Sequence, residues 1–187
     1  MRDYKIVILG KSALTIRFVY DNFVEKYDPT IEDSFRTVAM VDGYRCQVEL
    51  LDTAGTEQFM ALHSLYMKSG DGFVLAFSLT SLDSINELQT IREQILRTKE
   101  AEGLTPEEVP LVLVGNKCDL VHERQVPREV GIQLSQAWAK PYYEASARHK
   151  INVEELFEDI LRQVVRQNPP GQTGKKKRKL FSRCNVL

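Results

Sequence analysis

Short apolar runs alternate along this chain with longer stretches of helical period. Tyr4–Gly10, Gln47–Asp52, Gly72–Ser78 and Pro110–Asn116 each have the length of a buried strand and close on Gly, Asp, Ser or Asn. Gly72–Ser78 and Pro110–Asn116 are apolar on both faces, which suits a parallel sheet covered by helices on both sides. From Ser84 to Thr98, residues Ile85, Leu88, Ile91, Ile95 and Leu96 recur at helical spacing, behind a Ser/Asp cap region at Ser81–Asp83. Asn152 to Gln167 repeats the pattern with Val153, Leu156, Phe157, Ile160, Leu161, Val164 and Val165. One pair of runs, Phe35–Val41 and Tyr44–Leu51, flanks Asp42-Gly43, a dipeptide suited to the positive φ angles of a tight hairpin. The pattern therefore predicts an α/β fold: a doubly wound, mostly parallel six-stranded sheet with one antiparallel edge strand. Lys99 to Glu108 reads as a solvated polar loop. Beyond Gln167, Asn-Pro-Pro-Gly-Gln-Thr-Gly stops the last helix and opens a linker, dividing a folded domain, 1–167, from a tail, 168–187.

Composition narrows the class. With 187 residues, 43% of them hydrophobic and 27% charged, the chain suits one packed domain. The net charge of −1 conceals an asymmetry. Residues 168–187 hold six Lys/Arg and no acid, leaving 19 bases against 26 acids in residues 1–167. Cys46, Cys118 and Cys184 are too widely spaced for a metal cluster or a disulfide framework, and a reducing compartment is expected. Ile6–Leu9 is too short for a secretory core, and no run approaches the roughly 20 apolar residues of a membrane span. His63, His122 and His149 share no ligand spacing, so a zinc site is not expected. Trp138 reads as packing rather than ligand contact.

The chemistry-bearing segments all fall after predicted strands, where ligands of doubly wound sheets bind. Asp119, in Asn116-Lys117-Cys118-Asp119, places a carboxylate able to accept the N1 and N2 donors of guanine. Adenine lacks that donor pair and would leave the charge unpaired. Asp52-Thr53-Ala54-Gly55 offers an acid for Mg²⁺ and a glycine amide for a terminal phosphate. Gly10-Lys11-Ser12 supplies a cation for phosphate and a hydroxyl for Mg²⁺. Glu144-Ala145-Ser146-Ala147 follows the last predicted strand.

These four motifs in this order, with Tyr27-Asp28-Pro29-Thr30-Ile31-Glu32-Asp33-Ser34 between the first two, resemble the Ras family of small GTPases over the whole chain. The Asp-Thr-Ala-Gly-Thr-Glu-Gln-Phe segment is similar to the Rap branch, including the fungal bud-site-selection GTPases. The resemblance implies a GTP/GDP switch in signalling or polarity. By it, Gly10 belongs to the phosphate loop, Lys11 holds the β- and γ-phosphates, and Ser12 and Thr30 ligate Mg²⁺. Asp52 holds the metal's water shell, Phe23 packs on guanine, Tyr27 closes over the phosphates, and the Gly55 amide senses the γ-phosphate. Asn116 and Lys117 frame base and ribose, Asp119 reads guanine, and Ser146 with the Ala147 amide completes the base pocket. Thr56 stands where other Ras proteins carry the Gln that orients the attacking water, so intrinsic hydrolysis is expected to be slow and dependent on an activating protein. The implied partners are a guanine-nucleotide exchange factor, a GTPase-activating protein and an effector domain docking at Tyr27–Phe35. Ile31 to Val38 would offer an added strand unpaired backbone groups, with Glu32 and Asp33 attracting a basic surface.

One motif departs from the family. A phosphate loop needs G-x-x-x-x-G-K-[ST], whose successive amides wrap the β-phosphate. Here Lys5–Leu9 runs through Gly10 straight into Lys11-Ser12. Against the family's usual Gly-Ala-Gly-Gly-Val-Gly-Lys-Ser, five residues are missing, about 17 Å of extended chain. Sliding the first strand by five would turn its apolar face outward. Weak or absent GTP binding is the expectation. Two readings follow: an altered gene product of a working GTPase, or a membrane-tethered interaction module that does not cycle.

Cys184-Asn185-Val186-Leu187 fits a prenylation signal, its final Leu favouring geranylgeranyl. Lys175, Lys176, Lys177, Arg178, Lys179 and Arg183 supply the second, electrostatic attachment to an anionic membrane. No aromatic stacking platform accompanies these bases and the body is acidic, so no nucleic acid is expected as partner. The expected location is the cytoplasmic face of the plasma membrane.

Overall fold

A computed structural model of the chain describes residues 3–9, 13–23, 32–53 and 60–169. Six strands form one sheet: β1 (Asp3–Leu9), β2 (Glu32–Val41), β3 (Tyr44–Thr53), β4 (Gly72–Ser78), β5 (Leu111–Asn116) and β6 (Tyr142–Ala145). Five helices accompany them: α1 (Leu14–Tyr20), α2 (Met60–Ser69), α3 (Asp83–Glu100), α4 (Arg128–Trp138) and α5 (Val153–Gln167). The strand order is β2-β3-β1-β4-β5-β6, parallel throughout except for β2 against β3. The expected doubly wound sheet with one antiparallel edge strand is what the chain forms.

Alternation of side chains through the pleat divides two apolar cores. Ile6 and Ile8 of β1, Val74 of β4, and Val112 and Val114 of β5 meet α1 and α5 on one face. Val7 and Leu9, Phe73 and Leu75, and Leu111 and Leu113 meet α2, α3 and α4 on the other. Every apolar position that the sequence pattern assigns to α5 is buried. Glu154 and Glu155 lie in its first turn, where the helix dipole favours acids. Asp42 and Gly43 have φ of 47° and 83°, the two left-handed positions of a tight hairpin turn.

Three local expectations are corrected. Helix α3 runs on through Glu100, so Lys99 does not belong to a solvated loop. Its ammonium is buried, donates to the Lys68 carbonyl at 2.9 Å and Glu102 at 3.1 Å, and lies 5.7 Å from the Phe73 ring centre. The positively charged tip satisfies the carboxyl end of α2, which outweighs the polar character of the segment. The start of α3 lacks the expected side-chain cap; instead the Ser84 hydroxyl receives the Ser78 amide and donates to the Ser81 carbonyl. Glu144 and Ala145 lie inside β6 rather than after it, paired with Gly115 and Asn116. Trp138 packs on the α3-side core with the Arg92 guanidinium 4.7 Å from its ring centre.

Gly131 of α4 is where the ring of Tyr142 crosses the helix: a Cβ there would lie 2.2 Å from Tyr142 Cζ. Gly131→Ala is therefore expected to destabilise the fold by on the order of 1–3 kcal/mol, despite alanine's better helix propensity, read from the urea denaturation midpoint.

Candidate functional site

Parallel strands bring the ends of β5 and β6 together, and the polar motifs after them meet there. Asn116, the last residue of β5, is 5% exposed. Its Oδ1 accepts the Lys117 amide at 2.8 Å and the Ala147 amide at 3.3 Å, joining the two loops. The Cys118 amide donates to the Ala145 carbonyl at 3.1 Å, a second tie between them. Lys117 turns through a φ of 67°, which sends the chain away from the strand towards Asp119. The Asp119 side chain is 12% exposed, and its Oδ2 lies 3.9 Å from His149 Nε2. That separation exceeds a hydrogen bond, so the carboxylate keeps its acceptor capacity toward a ligand.

The loop after β6 closes on itself. Ser146 and Ile151 exchange backbone hydrogen bonds at 3.0 Å each, and the fully buried Ser146 hydroxyl accepts the His149 amide at 3.0 Å. Lys150 and Asn152 both take positive φ in this tight return, and Asn152 Nδ2 donates to the Glu144 carbonyl. Lys150 Nζ bonds Asp21 and Glu154 at 2.8 Å each, while Arg17 donates to the Asp21 and, more weakly, the Arg148 carbonyls. These links fasten the end of α1 to the loop, and the Lys150 ammonium holds the Asp21 carboxyl below its usual range. Phe23, just beyond α1, is half-buried against the α5-side core.

Behind the loops, Arg124 grips Glu144 through two charge-assisted hydrogen bonds of 2.9 and 2.8 Å, and the Tyr142 hydroxyl donates to the same carboxylate at 3.1 Å. The Arg124 bonds hold the Glu144 carboxyl below its ordinary value, against the opposing effect of burial. Burial raises the Cys118 thiol, with Asp119 and Glu144 reinforcing the shift, so it stays protonated at neutral pH.

The positions suggested by the sequence are thus partly brought together. Asn116, Lys117, Asp119, Ser146 and Ala147 converge on one edge of the sheet. The Ala147 amide, given to the base by the resemblance, here donates to Asn116. Asp52 lies in β3 in register with Ile8 of β1 and Asp33 of β2; its side chain falls outside the described part. Gly10, Lys11, Ser12, Tyr27, Thr30, Gly55, Thr56 and Cys184 lie outside the described residues. Sequence reasoning missed Arg124, Arg17 and the position of His149 beside Asp119. Glu144 was visible as part of a motif, but its partner sits 20 positions away with no spacing to reveal it.

A sheet of this order, with its polar loops gathered beyond the carboxyl ends of β5 and β6, has the architecture of the nucleotide-binding α/β class. The Ras family's sequence model matches residues 6–166, and the chain belongs to the Ras family. It is thereby a small GTPase by descent, of a family that binds GTP or GDP with Mg²⁺ and works with exchange factors, GTPase-activating proteins and effectors.

Arg124→Met leaves the Glu144 carboxylate without its main partner, and a loss on the order of 1–3 kcal/mol is expected in denaturant. Because the native Glu144 carboxyl titrates below its ordinary 4.5, its contribution is complete above that pH and is lost as pH falls through the native value. Acidification below about pH 4.5 should therefore lower the wild-type midpoint more steeply than that of Arg124→Met.

Proposed function

We propose that this chain is a Rap-like, membrane-anchored member of the Ras family whose base-reading half is built and whose phosphate-binding half is too short for normal nucleotide affinity. The observation that carries the reading is the Asn116 side chain, which ties the Asp119 loop to the Ala147 loop through contacts made wholly within β5, β6 and their loops. None of those contacts involves Gly10-Lys11-Ser12. On this reading the base pocket would persist beside a truncated loop. Each charge-assisted contact between a loop amide and the phosphates would be worth roughly 1.5–3 kcal/mol. Losing several removes many orders of magnitude.

For the residues present, Asp119 would accept the guanine donors, with Asn116, Lys117, Ser146 and Ala147 fixing the walls. Phe23 would cover the base. Lys11 would meet phosphate charge, and Ser12, Thr30 and Asp52 would hold Mg²⁺, which neutralises phosphate charge when bound. Tyr27 and Gly55 would follow the terminal phosphate. Thr56 lacks the carboxamide that positions water, so any hydrolysis would require a group supplied by an activating protein. The division into a domain, 1–167, and a tail, 168–187, carries over to this reading. Prenylation at Cys184 and the six tail bases would hold the chain at the cytoplasmic face of the plasma membrane. Retention of the guanine-reading and switch motifs favours an altered gene product of a working GTPase over an interaction module that no longer cycles, and sequencing the transcript across Leu9–Ser12 separates the two.

Calorimetric titration with guanosine and with GDP plus Mg²⁺ tests the reading. GDP is expected to bind no more than about a hundredfold more tightly than guanosine, and purified protein should release no stoichiometric nucleotide on denaturation. A stoichiometric GDP content would contradict it. For the tail, Cys184→Ser is expected to move the protein from the membrane to the soluble fraction of cells.

A further inference from the structure

Beside the Asp119 carboxylate stands a histidine that the residues assigned to the base do not account for. His149 Nε2 lies 3.9 Å from Asp119 Oδ2, and among the described residues no other carboxylate comes as near to the imidazole. The two side chains differ in freedom. That of Asp119 is 12% exposed, on a loop fastened by the Cys118 amide to the Ala145 carbonyl and by the Leu120 amide to the Lys117 carbonyl, each at 3.1 Å. That of His149 is 59% exposed, so its ring can turn about its own side-chain bonds. Its backbone cannot follow. The His149 amide donates to the buried Ser146 hydroxyl at 3.0 Å, and the exchange of hydrogen bonds between Ser146 and Ile151 closes the loop around it. The carboxylate is therefore the fixed half of the pair and the imidazole the moving half.

The surrounding charges leave this pair to itself. Lys150, next along the loop, is held by Asp21 beyond α1 and Glu154 of α5 at 2.8 Å each. Glu144 is taken by Arg124, and Arg17 of α1 donates to the Asp21 and Arg148 carbonyls. Cys118, its thiol raised by burial, carries no charge at neutral pH. Arg148 and Lys117 are exposed cations, one on each loop, and water screens them. His122 and Glu123 are exposed in the turn Val121–Glu123 that follows Asp119, and His122 is the other histidine of these loops.

An imidazole changes charge between roughly pH 5 and 8, and this decides what it does to a neighbouring carboxylate. A neutral ring at 3.9 Å makes no hydrogen bond and leaves both Asp119 oxygens to a ligand. A protonated ring closes the remaining distance of about 1 Å and forms a charge-assisted bond at roughly 2.8 Å. A turn of the side chain suffices. Guanine donates two protons to the carboxylate that reads it, and with so little of Asp119 exposed a group bonded to Oδ2 covers the surface the base needs. We propose that His149 is a competing partner of Asp119: as imidazolium it occupies the carboxylate that the guanine donors require, so base binding at this site weakens in acid. It rests on the base-reading role proposed for Asp119. Linkage makes the effect reciprocal, and base binding expels the proton from His149.

The test uses the full chain and guanosine, which carries no phosphate to titrate, with binding read from the amide resonances of Cys118, Asp119 and Ala147. Wild type is expected to bind guanosine about fivefold more tightly at pH 8 than at pH 6. His149→Gln should bind it equally at both, near the wild-type affinity at pH 8 and with unchanged circular dichroism, whereas His122→Gln should keep the wild-type pH dependence. Calorimetry at about pH 6.5, in buffers of different ionisation heat, should show wild type releasing a fraction of a proton as guanosine binds and His149→Gln releasing none. Equal wild-type affinity at the two pH values, or a pH dependence that survives His149→Gln, would overturn the proposal and leave the base-reading role of Asp119 standing. Failure of wild type and His149→Gln alike to bind guanosine at pH 8 would overturn that role, and this proposal with it.

Discussion

A single buried amide organises the ligand side of this molecule. Asn116 ends a strand whose every residue is buried, and its side-chain oxygen collects the amides of Lys117 and Ala147 from two different loops. A polar group in that place is costly unless its hydrogen bonds are made. The strand pairing between β5 and β6 makes them, because Asn116 lies opposite Ala145, two residues before Ala147. Asp119 and Ser146 inherit their positions from this link, and Arg124 with Tyr142 restrains the Glu144 side of it.

The fold was legible because its strands are apolar on both faces and its helices carry one apolar stripe; tertiary packing confirms local preference nearly everywhere. Lys99 misled because polarity usually signals solvent, yet its long stem crosses the core and only the ammonium needs partners. The motif at Glu144 read as a loop because four residues make a weak strand signal, and the pairing that defines β6 is entirely long-range. Asp119 was proposed from the chemistry of its carboxylate, and Asn116 from the family resemblance. His149 was not, since a histidine's proximity to a carboxylate 30 positions earlier depends on how a loop with two positive-φ residues returns.

The two ends of the sheet divide the labour. The loops that carry Asn116, Asp119 and Ser146 follow the carboxyl ends of β5 and β6, while the end of α5 is held beside the amino end of β1. This separation follows from topology, since parallel strands must place all their carboxyl ends together.

The central claim is that the base half is complete and only the phosphate half is short. Inserting Ala-Gly-Gly-Val-Gly between Gly10 and Lys11, and comparing the GDP dissociation constant of this form with that of the natural chain in Mg²⁺, addresses it directly. A gain of at least a thousandfold, about 4 kcal/mol, is predicted, since the restored amides would add phosphate contacts to a base site proposed to be intact. Equal affinity for GDP in the two forms would contradict the account.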